Sequence, residues 1–250
     1  MRGPEIGSVP NPVKLTARRL FAFNQHRRDL WVEAEARAIR DGAKVLDVGA
    51  GTCRYRHLFE HCEYRAQDAC RLDQDTYRAY GAIDLISDIC EIPVEDASHD
   101  VILCTEVLEH VPEPIKAIEE FARILKLGGQ LFVTAPLGSG LHQLPFHYYG
   151  GYTPVWYEHF LTRYGFCEIQ ISPNGGFFEH FGQESQRFAA LLSPRASATK
   201  ILFLPLRMVA VPVFGYLTPV LCAALAPVDR GREFTVGYHV KATKSAVLAG

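Results

Sequence analysis

Paired thiols are missing from this chain. Its seven cysteines (53, 62, 70, 90, 104, 167 and 222) form no C-x-x-C pair, and an odd, scattered set points to reduced thiols in a cytoplasmic setting. Charge of one sign is missing too. Lys and Arg number 26 against 28 Asp and Glu, a net charge of −2, which leaves no electrostatic footprint for nucleic acid. The basic groups that do cluster, Arg18-Arg19 and His26-Arg27-Arg28, fall among Leu15, Leu20, Phe23, Leu30 and Trp31 at helical spacing and read as a solvated helix face. No internal repeat is evident. Met1 to Pro12, rich in Gly and Pro, lacks the apolar stretch of a secretory signal and reads as a flexible arm.

What is present is a globular composition. Apolar residues make up 48% of 250, enough for one α/β domain with elaborations. The chain is organised around Lys44 to Arg54, K-V-L-D-V-G-A-G-T-C-R. Val45, Leu46 and Val48 suit a strand buried on both faces. The strand ends at Asp47 and passes into Gly49-Ala50-Gly51, where glycine permits positive φ and lets a ligand lie against bare backbone. Strand, acid, glycine turn and helix is how open α/β sheets build a nucleotide crevice. A dinucleotide fingerprint would put a third glycine at position 54, where Arg54 stands; D-x-G-x-G fits better.

Downstream, strand and helix periods alternate. Val13 to Arg40 predicts one or two helices, and Arg54 to His61 a helix whose N-terminal dipole faces the ligand. Asp68 follows Asp47 by about twenty residues, the spacing at which a second-strand acid meets ribose hydroxyls. Ala82 to Ser87 predicts strand 3, ending at Asp88-Ile89-Cys90, and His99 to Cys104 predicts strand 4. Ile115 to Lys126 has helical spacing, and Leu131 to Thr134 predicts strand 5. Thr153 to Arg163 predicts a helix, Phe166 to Ile171 a strand, and Phe234 to Ala242 the last strand. Such alternation marks a parallel sheet with right-handed crossovers.

Four stretches in this order, V-L-D-V-G-A-G, I-S-D-I, S-H-D-V-I-L-C-T-E-V-L-E-H-V and A-R-I-L-K-L-G-G-Q-L-F-V-T-A-P, resemble the ubiquinone-biosynthesis-type branch of class I S-adenosylmethionine-dependent methyltransferases over about residues 43 to 172. The family's usual third glycine is replaced by Cys53. The resemblance implies a Rossmann-like sheet of seven strands, the last antiparallel, with helices on both faces. It implies S-adenosyl-L-methionine as cofactor, with Asp47, Gly49 and Gly51 at its methionine part, Asp68 at the ribose, and Asp88 with Ile89 at the adenine. Glu106 and His110 then sit near the transferred methyl, Glu106 also at the cofactor. Apart from the resemblance, the loop His142 to Pro154 after strand 5 has two histidines and three tyrosines and suits an acceptor pocket that includes His147; the alternative is a packed aromatic loop, with Thr153 capping the next helix either way. In small-RNA 2′-O-methyltransferases of plants an arrangement like Glu106-x-x-Glu109-His110, completed by a histidine after strand 5, holds a divalent ion; His142 or His147 would complete it here. Because E-V-L-E-H-V also lines the crevice in members without a metal, no metal is expected. His110 is instead a candidate base or substrate contact.

The segments divide as 1–42, an arm and helices; 43–172, the nucleotide core; 173–233, an apolar helical insertion; and 234–250, the final strand and tail. Within the insertion, Asn174 to Gly182 reads as a flexible aromatic loop and Glu184 to Leu192 as helix. Ile201 to Val228 is apolar and interrupted by Pro205, Pro212, Pro219 and Pro227, so short helices covering the site are expected. A membrane-embedded hairpin, or peripheral membrane contact through a surface anchor at 201–228, is the alternative. The expected acceptor is a small or lipid-linked molecule with a hydroxyl, such as a quinone precursor, glycolipid or sugar. The rival readings are a non-catalytic S-adenosylmethionine-binding scaffold and a membrane-associated interaction protein.

Overall fold

The computed structural model describes residues 12–72, 80–192 and 204–245. The arm up to residue 11 and the first three residues of the apolar run lie outside them. Strands β1 (Lys44–Val48), β2 (Glu63–Asp68), β3 (Leu85–Ile86), β4 (His99–Thr105), β5 (Leu125–Pro136), β6 (Phe166–Pro173) and β7 (Gly237–Lys244) form one sheet in the order β3-β2-β1-β4-β5-β7-β6. The first five run parallel, and β7 runs antiparallel to both β5 and β6. The helices are α1 (Pro12–Phe21), α2 (Phe23–Arg37), α3 (Pro114–Ile124), α4 (Pro154–Arg163), α5 (Phe177–Leu191) and α6 (Leu204–Val228). The resemblance's Rossmann-like, seven-stranded architecture is therefore what the chain adopts.

The two faces of the sheet bury different clusters because a strand alternates its side chains. Val45, Val101, Leu103 and Phe132 pack under Val32 and Ala36 of α2, with Tyr55 and Phe59. Leu46, Val48, Ile102 and Cys104 pack against Ile118 and Phe121 of α3 and Tyr157 and Leu161 of α4. Two-sided burial is why β1 and β4 are apolar on both faces rather than alternating, with Asp47 the exception in β1. Thr153 caps α4 as expected, its hydroxyl accepting from the Trp156 N–H at 3.3 Å.

Two compact units divide the chain, with the boundary inside α2. One is the sheet with its helices, Arg28–Asn174 and the residues from Val236 onward. The other is helical, Gly175–Thr235 with the residues up to Arg27.

Four expectations need correction. The helix predicted from Arg54 to His61 is only a 3-10 turn, Arg56–Phe59. Cys53, just before it, sits at φ 53°, left-handed rather than in the extended conformation typical of a helix N-cap. Strand β3 shrinks to two residues because the Asp84 carboxylate, at 2.8 Å from the Ala66 N–H, takes the place of a main-chain acceptor. The aromatic stretch after Gly176 is not a loop but the start of α5. The Glu179 carboxylate accepts from the Gly176 N–H at 3.0 Å, and Asp229 accepts from the Phe177 N–H at 2.6 Å. Finally, the prolines do not break the apolar run into short helices. Pro212 lies in a π-helical segment, Val211–Leu217, and Pro219 follows directly after it, where the helical hydrogen-bond pattern changes.

Candidate active site

The carboxyl ends of β1, β2, β3 and β4 gather at one sheet edge, around the β1–β4 boundary where the strand order reverses. Gly49 and Gly51 have φ of 66° and 50°, and a Cβ on Gly49 would lie 2.4 Å from Val107 Cγ2. Only glycine fits there. The Gly51 N–H donates to Asp68 Oδ2 at 2.9 Å, while Asp68 Oδ1 accepts from the Cys70 N–H at 2.8 Å. Each carboxylate oxygen keeps a lone pair for a further donor.

Gln67, one residue earlier, ties three strand tips together. Its Oε1 accepts from the Gly49 N–H at 3.3 Å and its Nε2 donates to the Ser87 carbonyl at 2.8 Å. Sequence reasoning passed over it; the available hint was a polar residue inside a strand flanked on both sides. Asp47 is 2% exposed and accepts from the Tyr64 hydroxyl. Burial pushes its carboxyl up to about 7, against the pull of that hydrogen bond. Asp47 thus braces the turn from within the sheet, while Asp68 and Asp88 stand nearer the surface. The Asp88 carboxylate accepts from the Cys90 N–H at 2.9 Å and pairs with Arg71 at 2.7 Å, which hold its pKa below the usual range. Ile89 is buried beside it.

After β4 the chain turns sharply, with Glu106 at φ 55° and a 3-10 turn over Leu108–His110. Both oxygens of Glu106 are engaged: Oε2 pairs with Arg28 at 2.9 Å and Oε1 accepts from the Thr134 hydroxyl at 2.8 Å. Arg28 is therefore not part of a solvated face. It is a largely buried partner of the site, and no local pattern could have shown a pairing across so much sequence.

His110 has a defined tautomer. Its Nδ1 lies 2.7 Å from the Phe146 carbonyl, an acceptor only, so Nδ1 carries the proton and Nε2 keeps a lone pair. Burial lowers its pKa. The rings of His142 and His147 stand 4.7 and 5.7 Å from it, and His147 Nε2 contacts the Ser139 hydroxyl at 3.1 Å. The loop His142 to Pro154 is pinned to the same turn, since the Tyr148 N–H donates to the Glu109 carbonyl at 2.9 Å and the Tyr152 hydroxyl to the Leu108 carbonyl at 2.6 Å. The Glu109 side chain is 2% exposed, and burial together with Glu106 raises its pKa. Its Oε2 has no hydrogen-bond partner among the described residues. Glu109, His110 and His142 bring one ligand atom each to within 4.8 Å of one another.

The structure thus draws the expected residues into two groups: Asp47, Gly49, Gly51, Asp68, Asp88 and Ile89 along the strand tips, and His110 with His142 and His147 of the loop after β5. Glu106 stands between α2 and β5 and is bound to both.

Residues 46–133 match the family model described as a methyltransferase domain. An uncharacterized methyltransferase of Mycobacteroides abscessus is 34% identical over 140 residues, 49% of this chain and 52% of that protein. The ubiquinone biosynthesis O-methyltransferase of Acinetobacter baylyi is 30% identical over 115 residues, 41% of this chain and 47% of that protein. The chain spans about half the length of these curated relatives. A SAM-dependent methyltransferase from Archaeoglobus fulgidus superposes with a TM-score of 0.54 at 15% identity, over 94% of this chain and all of that one. Residues 46–133 thus resemble a methyltransferase domain, and the chain carries the fold of S-adenosylmethionine-dependent methyltransferases.

Proposed function

We propose that the chain transfers a methyl group from S-adenosylmethionine to a hydroxyl oxygen of a small or lipid-like acceptor. The observation that carries this reading is the Nε2 lone pair of His110, held in place by the Phe146 carbonyl at 2.7 Å. S-adenosylmethionine supplies an electrophilic methyl on a sulfonium and departs as the thioether S-adenosylhomocysteine. The chain's residues must align the acceptor, exclude water and take one proton. Gly49 and Gly51 leave bare backbone for the methionine part. Asp68 offers lone pairs to the ribose, and Asp88 and Ile89 an acceptor and an apolar surface to the adenine. Asp47 supports them through the strand. His110 Nε2 accepts the hydroxyl proton as the oxygen bonds to the methyl, His147 lines the acceptor side, and Glu106, fixed by Arg28 and Thr134, borders it. The oxygen acceptor draws support from the name of the Acinetobacter relative.

The test is transfer of labelled methyl from S-adenosylmethionine to phenolic and lipid-extract acceptors. His110→Asn should abolish most of the transfer while leaving cofactor affinity intact; transfer unchanged by that substitution would remove the base.

A second reading is favoured by the unpartnered Glu109 Oε2 beside His110 and His142. A divalent cation held there would activate the hydroxyl in place of an imidazole base. Manganese titration followed by calorimetry separates the two, since only this reading predicts binding that His142→Ala removes.

A further inference from the structure

In the helical unit, α6 is 25 residues long, and it is the one helix among the described residues long and apolar enough to cross a membrane. At 1.5 Å per residue it reaches about 37 Å, against a hydrocarbon core of about 30 Å. No charged residue occurs from Met208 to Val228. Yet only 17% of its most apolar window is buried. Val209, Leu217 and Leu221 are 64%, 52% and 53% exposed, an apolar surface that water does not favour.

The rest of the unit extends this surface. α5 packs on α6 through small residues, where a Cβ on Gly182 would lie 3.3 Å from Cys222 Cβ. That leaves the α5 aromatics Phe177, Phe181 and Phe188 exposed. Arg207 stands near the start of α6, and Arg230 and Arg232 follow its end. Among the acids there, Asp229 is already engaged by the Phe177 and Arg232 N–H groups.

We propose that this unit docks on the surface of an anionic lipid bilayer, with α6 lying in the interface. Connectivity excludes a single crossing. β6 precedes α5, β7 follows α6, and the two strands are hydrogen-bonded to each other. A second crossing would need about 20 apolar residues. α5 has 15 and carries Glu179, Glu184 and Arg187. Residues 192–203 and 229–236 are too few. Charge selects the occupant: a second copy would bring the same arginines to the contact, whereas anionic headgroups complement them.

The inference does not rest on methyl transfer, and its test is independent of it. The purified full chain is floated with vesicles of phosphatidylcholine, alone or mixed with phosphatidylglycerol. Most of the protein should rise with the mixed vesicles, less with neutral ones, and less again in high salt. Replacing Val209, Leu217 and Leu221 together by Glu should lower the bound fraction at least about tenfold while thermal melting and S-adenosylhomocysteine affinity persist. Arg230→Gln with Arg232→Gln, a milder change, should remove the preference for anionic vesicles. Wild-type protein that stays down with both vesicle types would overturn the proposal, as would a triple variant that floats like wild type. A wild-type dimer lost in the triple variant, without vesicle binding, would instead give the face to a second copy.

Discussion

A carbonyl oxygen 36 residues further along the chain decides which nitrogen of His110 can take a proton. Because burial lowers the pKa of this imidazole, Nε2 stays unprotonated below the ordinary value of about 6.5. Single-turnover transfer should hold level as pH falls towards about 6.5 and decline only below it. His110→Asn should slow it by about 10² to 10⁴ at every pH, whereas a decline centred above neutrality would point to another group. Asp47 makes the opposite kind of statement. Its carboxyl rises from 3.8 to about 7, so its contribution to stability is complete below the lower value and is lost as pH climbs through the upper one. Thermal midpoints of the wild type should therefore fall relative to those of Asp47→Asn between about pH 4 and pH 7. Parallel curves for the two proteins would show that this carboxyl titrates normally. The acids at 47, 68 and 88 were legible in the sequence as a set, because each falls at or near the carboxyl end of a strand. That Asp47 is buried was not legible, since it depends on Tyr64 reaching across from the neighbouring strand.

The glycine turn shows what an element can conceal. Cys53 occupies the left-handed conformation that glycine adopts freely, so a glycine there would keep the same backbone path. Cys53→Gly should change S-adenosylmethionine affinity by less than about threefold and stability by less than about 1 kcal/mol, relief of strain being offset by the greater freedom of the unfolded chain. A large gain in affinity would favour the non-catalytic scaffold. Gln67→Leu should do more. It leaves the Gly49 N–H without its acceptor and frees β3, at a cost of about 1–3 kcal/mol, visible in chemical denaturation and as weaker cofactor binding. Strands β1, β4 and β5 and helix α3 could be read directly, since apolar periodicity is a local property. The start of α5 could not. Two glycines and three aromatics resemble a loop, and the acid that caps the Phe177 N–H, Asp229, lies 52 residues away.

At the scale of the whole molecule, a seven-stranded sheet with its last strand antiparallel was implied by the resemblance that four motifs carry, whereas the strand order came from the fold. The pairing of Arg28 with Glu106 needed the folded sheet to bring α2 over the end of β4. Arg28→Ala should leave Glu106 without its ion partner and cut transfer at least about tenfold, with a loss of stability of about 2 kcal/mol or more. Equal activity in the two proteins would make the pair merely structural. The prolines of α6 misled because their meaning depends on where each falls in a helical turn, a phase set by the whole helix. Calorimetry of the intact chain with S-adenosylmethionine and S-adenosylhomocysteine tests the central claim most directly. Both should bind at one site, with Asp68→Ala and Asp88→Ala each weakening binding by about tenfold or more. A folded chain that gives no binding heat with either ligand would contradict it.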